Sequence, residues 1–229
     1  CDMAIGISLM FNIKLPINFN SPYKALNIQD FWRRWHMTLS RFLRDYIYIP
    51  LGGNRKGNAR TYINLLSTFL IGGLWHGAGW TFIIWGALHG IALAIHRFWQ
   101  SLGFKMNKIL AWFITFNFIN ITWVFFRAKD FESAIKVLGS MFSLDNVVLP
   151  EKYFKFLAEY NDIYFKFGSV YKDILGKDNT TVFIIVGFLV VLFFKNSMEY
   201  RLIFFKRPYF YTIILAIVSF FTIANMSKY

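Results

Sequence analysis

Four histidines are the residues of this chain best suited to chemistry: His36, His76, His89 and His96. An imidazole titrates near neutral pH, so it can take a proton from a hydroxyl and later return it. His76 lies in the glycine-flanked stretch 72–80, GGLWHGAGW, inside a long run without charged residues. An ionisable side chain in such a run usually faces a cavity or a partner. His76 therefore has two interpretations, a general base or a neutral residue that hydrogen-bonds a neighbouring helix.

The other histidines carry weaker signals. His89 and His96 are seven residues apart and share a helical face, but no further ligand accompanies them, so the sequence predicts no metal site. The single cysteine, Cys1, excludes an internal disulfide and a cluster of thiolate ligands. We expect His89 to pack or hydrogen-bond within the protein, and His96, next to Arg97, to lie at a membrane interface.

A basic, glycine-rich loop could bind an anion. Residues 50–57 read PLGGNRKG, and Arg55 and Lys56 could hold phosphate groups of an acyl-CoA donor together with the loop backbone. The alternative is an ordinary basic turn at a membrane surface. Asn64, Asn117 and Asn120 lie in apolar runs, where we expect hydrogen bonds between helices.

The elements that carry these residues are apolar. Of the 229 residues, 56% are hydrophobic and 16% are charged, whereas soluble domains have about 25% charged residues. Uncharged runs cover residues 61–96, 109–126, 179–194 and 208–227. As one helix the first run would be roughly 54 Å long, against about 30 Å for the bilayer core. We therefore predict an all-α, polytopic transmembrane bundle, with a break or re-entrant turn at Gly77-Ala78-Gly79.

The basic residues lie between these apolar runs. This placement favours flanking charges that orient membrane spans, and it argues against nucleic-acid binding despite the net charge of +13. In residues 30–48 the apolar side chains fall on one helical face and the arginines on the other, which predicts an interfacial amphipathic helix capped by Asp30. Residues 127–178 contain two weakly amphipathic segments, 131–142 and 153–167, and give no clear indication of their role.

Several of these segments resemble the membrane-bound O-acyltransferase family. The resemblance rests on FWRRWH at 31–36, SRFLRDYIYIPLGGNR at 40–55, GLWHGAGWTF at 73–82 and WGALHG at 85–90. It is dense over residues 2–127 and is greatest for the bacterial branch that includes the alginate O-acetyltransferase membrane subunit. On this basis the chain is expected to be the C-terminal portion of one membrane domain, residues 1–229, whose N-terminal helices are missing.

The resemblance implies a function and a location. His76 would be the catalytic histidine and His36 would line the same region. Acetyl-CoA or another acyl thioester would be the donor, with no bound cofactor. The acceptor would be an exported polysaccharide, reached through an extracytoplasmic partner acetyltransferase, and the protein would cross the bacterial inner membrane several times.

Three alternatives remain open at this stage. A member of the same superfamily could transfer D-alanine from a carrier protein to teichoic acid. A transporter or export scaffold also contains broken helices and intramembrane polar groups. A structural membrane subunit could dock partners outside the cell, and residues 127–178 would then matter more than His76.

Overall fold

The computed structural model describes residues 1–143, 148–150, 166–168 and 180–206, and scattered helical residues between 209 and 220. Nine α-helices are assigned there: α1 (Asp2–Met10), α2 (Ile28–Arg34), α3 (Met37–Leu43), α4 (Gly57–His76), α5 (Trp80–Ser101), α6 (Lys108–Arg127), α7 (Phe131–Phe142), α8 (Thr180–Phe193) and α9 (Ser197–Lys206). A 3₁₀ turn spans Pro22–Lys24 and a π-helix spans Arg44–Tyr48. Strands β1 (Val148–Pro150) and β2 (Lys166–Gly168) form a short parallel pair, which is a small exception to the predicted all-α fold.

The long uncharged run forms a helical hairpin, as its length predicted. Helix α4 ends at His76 and α5 begins at Trp80, so the break falls at the predicted Gly77-Ala78-Gly79. The two helices pack with their backbones in contact, because a Cβ added at Gly90 would lie only 2.9 Å from the Cα of Leu66. Glycines allow this approach, since any side chain there would separate the helices.

Two helices of the described residues, α5 and α6, are long and apolar enough to cross a membrane. Only 28% and 22% of their most apolar windows are buried within the protein. A core helix of a soluble protein would hide its apolar surface, so this exposure is consistent with a lipid-facing surface. The uncharged run 179–194 forms α8, which is shorter, and most of the run 208–227 lies outside the described residues.

The predicted single helix over residues 30–48 is wrong. Helix α2 begins earlier, at Ile28, and its cap is Asn27, whose side chain accepts a hydrogen bond from the Asp30 amide at 2.7 Å. The chain is extended at Trp35 and left-handed at His36, with φ 43°. The helix therefore stops before His36 and starts again as α3.

Asn18, which precedes α2 in the chain, stabilises this break between α2 and α3. Its backbone carbonyl accepts the Met37 amide at 3.0 Å, and its side-chain oxygen accepts the Thr38 amide at 3.0 Å and the Thr38 hydroxyl at 2.6 Å. These bonds satisfy donors that a continuous helix would have satisfied internally. Specific hydrogen bonds therefore stabilise the interruption between α2 and α3.

The buried core joins α2 to the hairpin and to α6. Phe31 and Trp32 of α2 pack with Phe69 of α4, Trp85 of α5 and Ile119 of α6. The amphipathic helix predicted over 131–142 is confirmed as α7, whereas the segment 153–167 lies almost wholly outside the described residues.

Asp130 caps helix α7 by accepting the Ser133 amide at 2.7 Å, and this bond lowers the pKa of the Asp130 carboxyl below its ordinary value. Because the ionised form makes the stronger cap, its contribution is present above the ordinary pKa and is lost as the pH falls through the lowered one.

The expectation that three asparagines link helices is wrong. The Asn64 amide is buried and donates to the Gly53 carbonyl at 2.9 Å, so it ties the glycine-rich loop to α4. Asn117 and Asn120 each donate to the carbonyl four residues earlier in α6. A carbonyl of the same helix is always within reach, whereas a partner on another helix depends on packing.

Candidate functional site

His76 occupies the last position of α4, where the hairpin breaks. Its ring is half-buried and packs edge-on against Trp85 and Phe126, with ring centroids 5.3 and 5.0 Å away. Phe82, at 6.5 Å, stacks on the far side of the break. Helices α5 and α6 thus surround the His76 imidazole of α4 with aromatic rings, and part of the imidazole stays exposed.

His36 lies at the second break, between α2 and α3. Its left-handed backbone is rare for a residue other than glycine, and such conformations cluster at functional sites. Its Nδ1 atom is buried and has no hydrogen-bond partner among the described residues. The Phe19 ring lies 6.2 Å away and forms part of its surround.

His36 and His76 each lie where a helix is interrupted, before α3 and at the end of α4. The two residues are far apart in the chain, yet they lie within electrostatic range of each other. One neutral imidazole can accept a proton while a second group orients the proton's source or shares the charge. The arrangement can therefore support acid–base chemistry on a substrate that enters between the two helix breaks.

His89 is fully buried beside this site. Its Nδ1 accepts a hydrogen bond from the Trp32 indole at 3.2 Å, which confirms the packing and hydrogen-bonding role predicted from sequence. His96, for which an interfacial position stays a prediction, lies on the wall of a cavity, and its Nε2 is buried without a partner among the described residues.

This cavity has a volume of about 660 Å³ and lies between α2, α3, α4 and α5. Four arginines and one histidine are among the residues that line it: Arg33, Arg41, Arg44, Arg97 and His96. The Arg44 guanidinium is paired with the Asp45 carboxylate at 2.7 Å. The cavity opens to the surface, because three of these arginines are exposed. Guanidinium groups bind phosphate and carboxylate oxygens through paired hydrogen bonds, so the cavity suits an anionic ligand.

The sequence did not predict this cavity, and its candidate for anion binding was the neighbouring loop. Asn54 of that loop reaches the cavity wall, whereas Arg55 and Lys56 are not among the residues that line it. The available signal was the basic face of residues 30–48, which predicts only an interfacial amphipathic helix. Among the described residues, no group of three or more metal-ligating side chains lies together.

Two aromatic residues, Trp32 and Trp85, lie between the cavity and His76. Trp32 lines the cavity, and its ring lies 5.9 Å from that of Trp85. Trp85 in turn lies 5.3 Å from the His76 ring. An anion in the cavity and a reactant at His76 would therefore face each other across a thin aromatic layer.

Comparison with known proteins identifies relatives of this chain. The family model of the membrane-bound O-acyltransferases matches residues 1–134. The chain is 66% identical over 169 residues to a peptidoglycan O-acetyltransferase of Helicobacter pylori, a match that covers 71% of this chain and 32% of that protein. It is 49% identical to a probable alginate O-acetylase of Pseudomonas putida, over 66% of this chain and 31% of that protein.

A more distant relative is a teichoic acid D-alanyltransferase of Bacillus subtilis, 33% identical over 56% of this chain and 36% of that protein. The chain spans about a third of the length of these curated relatives.

Proposed function

The chain belongs to the membrane-bound O-acyltransferase family, and from that premise we propose that the whole protein transfers an acetyl group from a thioester donor to hydroxyls of an exported or cell-surface polysaccharide. The observation that carries the proposal is the placement of His36 and His76 at two helix breaks, within electrostatic range of each other. The relatives named for O-acetylation of peptidoglycan and alginate support the acetyl group and the polysaccharide acceptor.

The reaction needs one proton to move. His76 takes the proton of the acceptor hydroxyl while that oxygen attacks the thioester carbonyl carbon. The C–S bond then breaks, and the proton passes from His76 to the departing thiolate. His36 positions a reactant or assists this proton transfer. The apolar rings of Phe82, Trp85 and Phe126 keep water away, so fixed dipoles act more strongly on the developing charge.

The cationic cavity supports a donor that carries phosphate groups, such as acetyl-CoA. Three of the lining arginines, Arg33, Arg41 and Arg97, can hold these phosphates. The thioester end then extends past Trp32 towards His76, and Arg44 stays paired with Asp45. No separate cofactor is required by this scheme. Arg55 and Lys56 then serve at most the entrance, on the loop that Asn64 anchors.

Removing one charge from the cavity should weaken donor binding. For Arg97→Gln in the full-length protein we expect KM for acetyl-CoA to rise about tenfold, because a hydrogen bond between charged groups contributes about 1.5–3 kcal/mol. Initial rates at varied acetyl-CoA in membrane vesicles measure this change. Arg60→Gln is the matched control, since Arg60 is exposed and does not line the cavity. Equal KM values for the two variants would contradict the assignment of the cavity, and Arg55→Gln and Lys56→Gln test the loop in the same assay.

The membrane context is part of the proposal. We place the protein in the bacterial inner membrane as a multi-pass bundle, in which residues 77–79 form a re-entrant turn near the chemistry. An extracytoplasmic partner acetyltransferase would receive the group or present the acceptor. Hydrogen–deuterium exchange in detergent, with rapid exchange at 77–79 and slow exchange in α5 and α6, would support this placement.

The function is tested by ester analysis of cell-surface polymers. A deletion strain should lose acetyl esters, and the intact full-length gene should restore them; the polymer that loses esters is then the acceptor. The similarity to a D-alanyltransferase makes D-alanyl transfer to teichoic acid a second candidate. Loss of D-alanyl esters with unchanged acetyl esters would establish that candidate, and loss of polymer export with both esters unchanged would indicate a transport scaffold.

A further inference from the structure

A buried polar ring, that of His89, contacts the two tryptophans that lie between the cavity and His76. His89 has no exposed surface, and aromatic rings surround it. The ring centroids of Trp85, Trp32 and Phe118 lie 4.8, 5.2 and 5.6 Å from that of His89. Phe69 and Phe31 stack on it at 6.2 and 6.4 Å. The proposed acyl transfer assigns no role to this residue.

The hydrogen bond fixes the state of the ring. Because Trp32 donates its indole hydrogen to Nδ1, that nitrogen must carry a lone pair, and the ring hydrogen must lie on Nε2. Nε2 has no partner among the described residues. A buried, unpartnered N–H destabilises a fold, and a leucine or phenylalanine would fill such a site without that loss. The polar ring therefore needs a reason beyond packing.

The neighbours of His89 supply that reason. Trp32, which it holds by a hydrogen bond, forms part of the wall of the cationic cavity. Trp85, which it touches, also touches His76. His89 is thus in direct contact with both tryptophans that lie between the cavity and His76, and the proposed donor must pass them to react.

We propose that His89 is a positioning residue of acyl transfer: by holding Trp32 through Nδ1 and packing against Trp85, it sets the depth at which a thioester from the cavity meets His76. The inference rests on the proposed function and adds to it. Small displacements of a reacting group lower rates steeply, and a shift of about 1 Å can cost about 100-fold. Two fixed tryptophans can limit how deeply the thioester enters, because each tryptophan side chain has few torsions that need to be ordered.

The test compares variants that keep or remove the hydrogen-bond acceptor. His89→Leu keeps apolar volume but removes the acceptor, whereas His89→Asn keeps an acceptor close to the position of Nδ1. For His89→Leu in the full-length protein we expect kcat for acetyl transfer to fall about 100-fold, with KM for acetyl-CoA changed less than about threefold. We expect His89→Asn to recover about tenfold of the lost kcat.

Trp32→Phe is an independent test, because it removes the indole donor of the same hydrogen bond. If the two residues act together, the double variant Trp32→Phe/His89→Leu should be no slower than the slower single variant. Ile95→Ala is the control on α5, since Ile95 is exposed and outside both sites. Rates are normalised to folded protein, measured by the amount that elutes as a single species in detergent.

The outcomes separate this inference from the proposed function. If the intact protein transfers acetyl groups but His89→Leu keeps full kcat, or His89→Asn is as slow as His89→Leu, the positioning role is overturned while the function stands. Additive losses in the double variant also overturn it. If the intact protein transfers no acetyl group from acetyl-CoA or another thioester, the proposed function fails, and the role of His89 fails with it.

Discussion

Replacing His76 with alanine in the full-length protein should reduce acetyl transfer by about 10²–10⁴-fold, the range that a positioned general base contributes. The His76 imidazole lies at the break of the hairpin, within electrostatic range of His36. The acetyl esters of the cell-surface polymer should therefore fall to the level of a deletion strain. Ester content after mild alkaline release, at matched protein level, measures the effect.

Two variants make this result specific. His76→Gln keeps a polar side chain of similar size but cannot accept a proton at neutral pH, so we expect it to be nearly as slow as the alanine variant. Leu74→Ala changes an exposed residue two positions earlier in the same helix and should leave transfer close to normal. Near-normal turnover with His76→Ala would exclude a catalytic role for this residue.

His36→Ala should have a smaller effect if His36 only positions a reactant. The variant also relieves little backbone strain, because alanine is no better suited than histidine to the left-handed conformation. His36→Gly, which fits that conformation, separates the two contributions: a variant that folds well but transfers slowly identifies the loss of the imidazole as the cause.

Features that depend on the length of an uncharged run or on a local amphipathic pattern were predictable from the sequence. An uncharged run of residues 61–96 cannot form one span, and the glycines at 77 and 79 lie near its middle, where a break leaves two segments of similar length. The positions of α6 and α7 followed in the same way from an uncharged run and an amphipathic pattern. Each of these features depends on nearby residues.

The break at Trp35 and His36 could not be predicted on that basis. Residues 30–48 have a regular amphipathic pattern, and local preferences favour one helix. The partner that opens it, Asn18, approaches from outside the segment, and its hydrogen bonds to Met37 and Thr38 replace those of the helix. Tertiary contacts commonly override local preference in this way.

The cavity was missed for a related reason. An amphipathic pattern shows which side chains share a face, but it does not show what lies opposite that face. Arg33, Arg41 and Arg44 fit a solvent-directed stripe, and only the packing of α5 places Arg97 and His96 across from them. The family resemblance predicts a role for His36 and His76 because their motifs are local, whereas the cavity is assembled from four helices.

The contact between α4 and α5 should be the most sensitive point for stability. A Cβ at Gly86 would overlap the carbonyl oxygen of Phe69, and one at Gly73 would overlap that of Phe82. Backbone atoms cannot move aside as side chains do, so Gly86→Ala must push the helices apart. Overpacking of this kind costs about 1–3 kcal/mol or more. We therefore expect a lower Tm in detergent and less folded protein.

Gly139→Ala in α7 is the matched control, because nothing lies within 4 Å of the added Cβ. There alanine should be neutral or stabilising, since it favours a helix by about 1 kcal/mol over glycine. The Gly86 variant should also lose transfer in the protein that does fold, because Trp85 and His76 lie on opposite sides of the same contact. Equal Tm values for the two variants would show that the backbones of α4 and α5 are not in contact. The short distance between the Trp85 and His76 rings would then need a different cause.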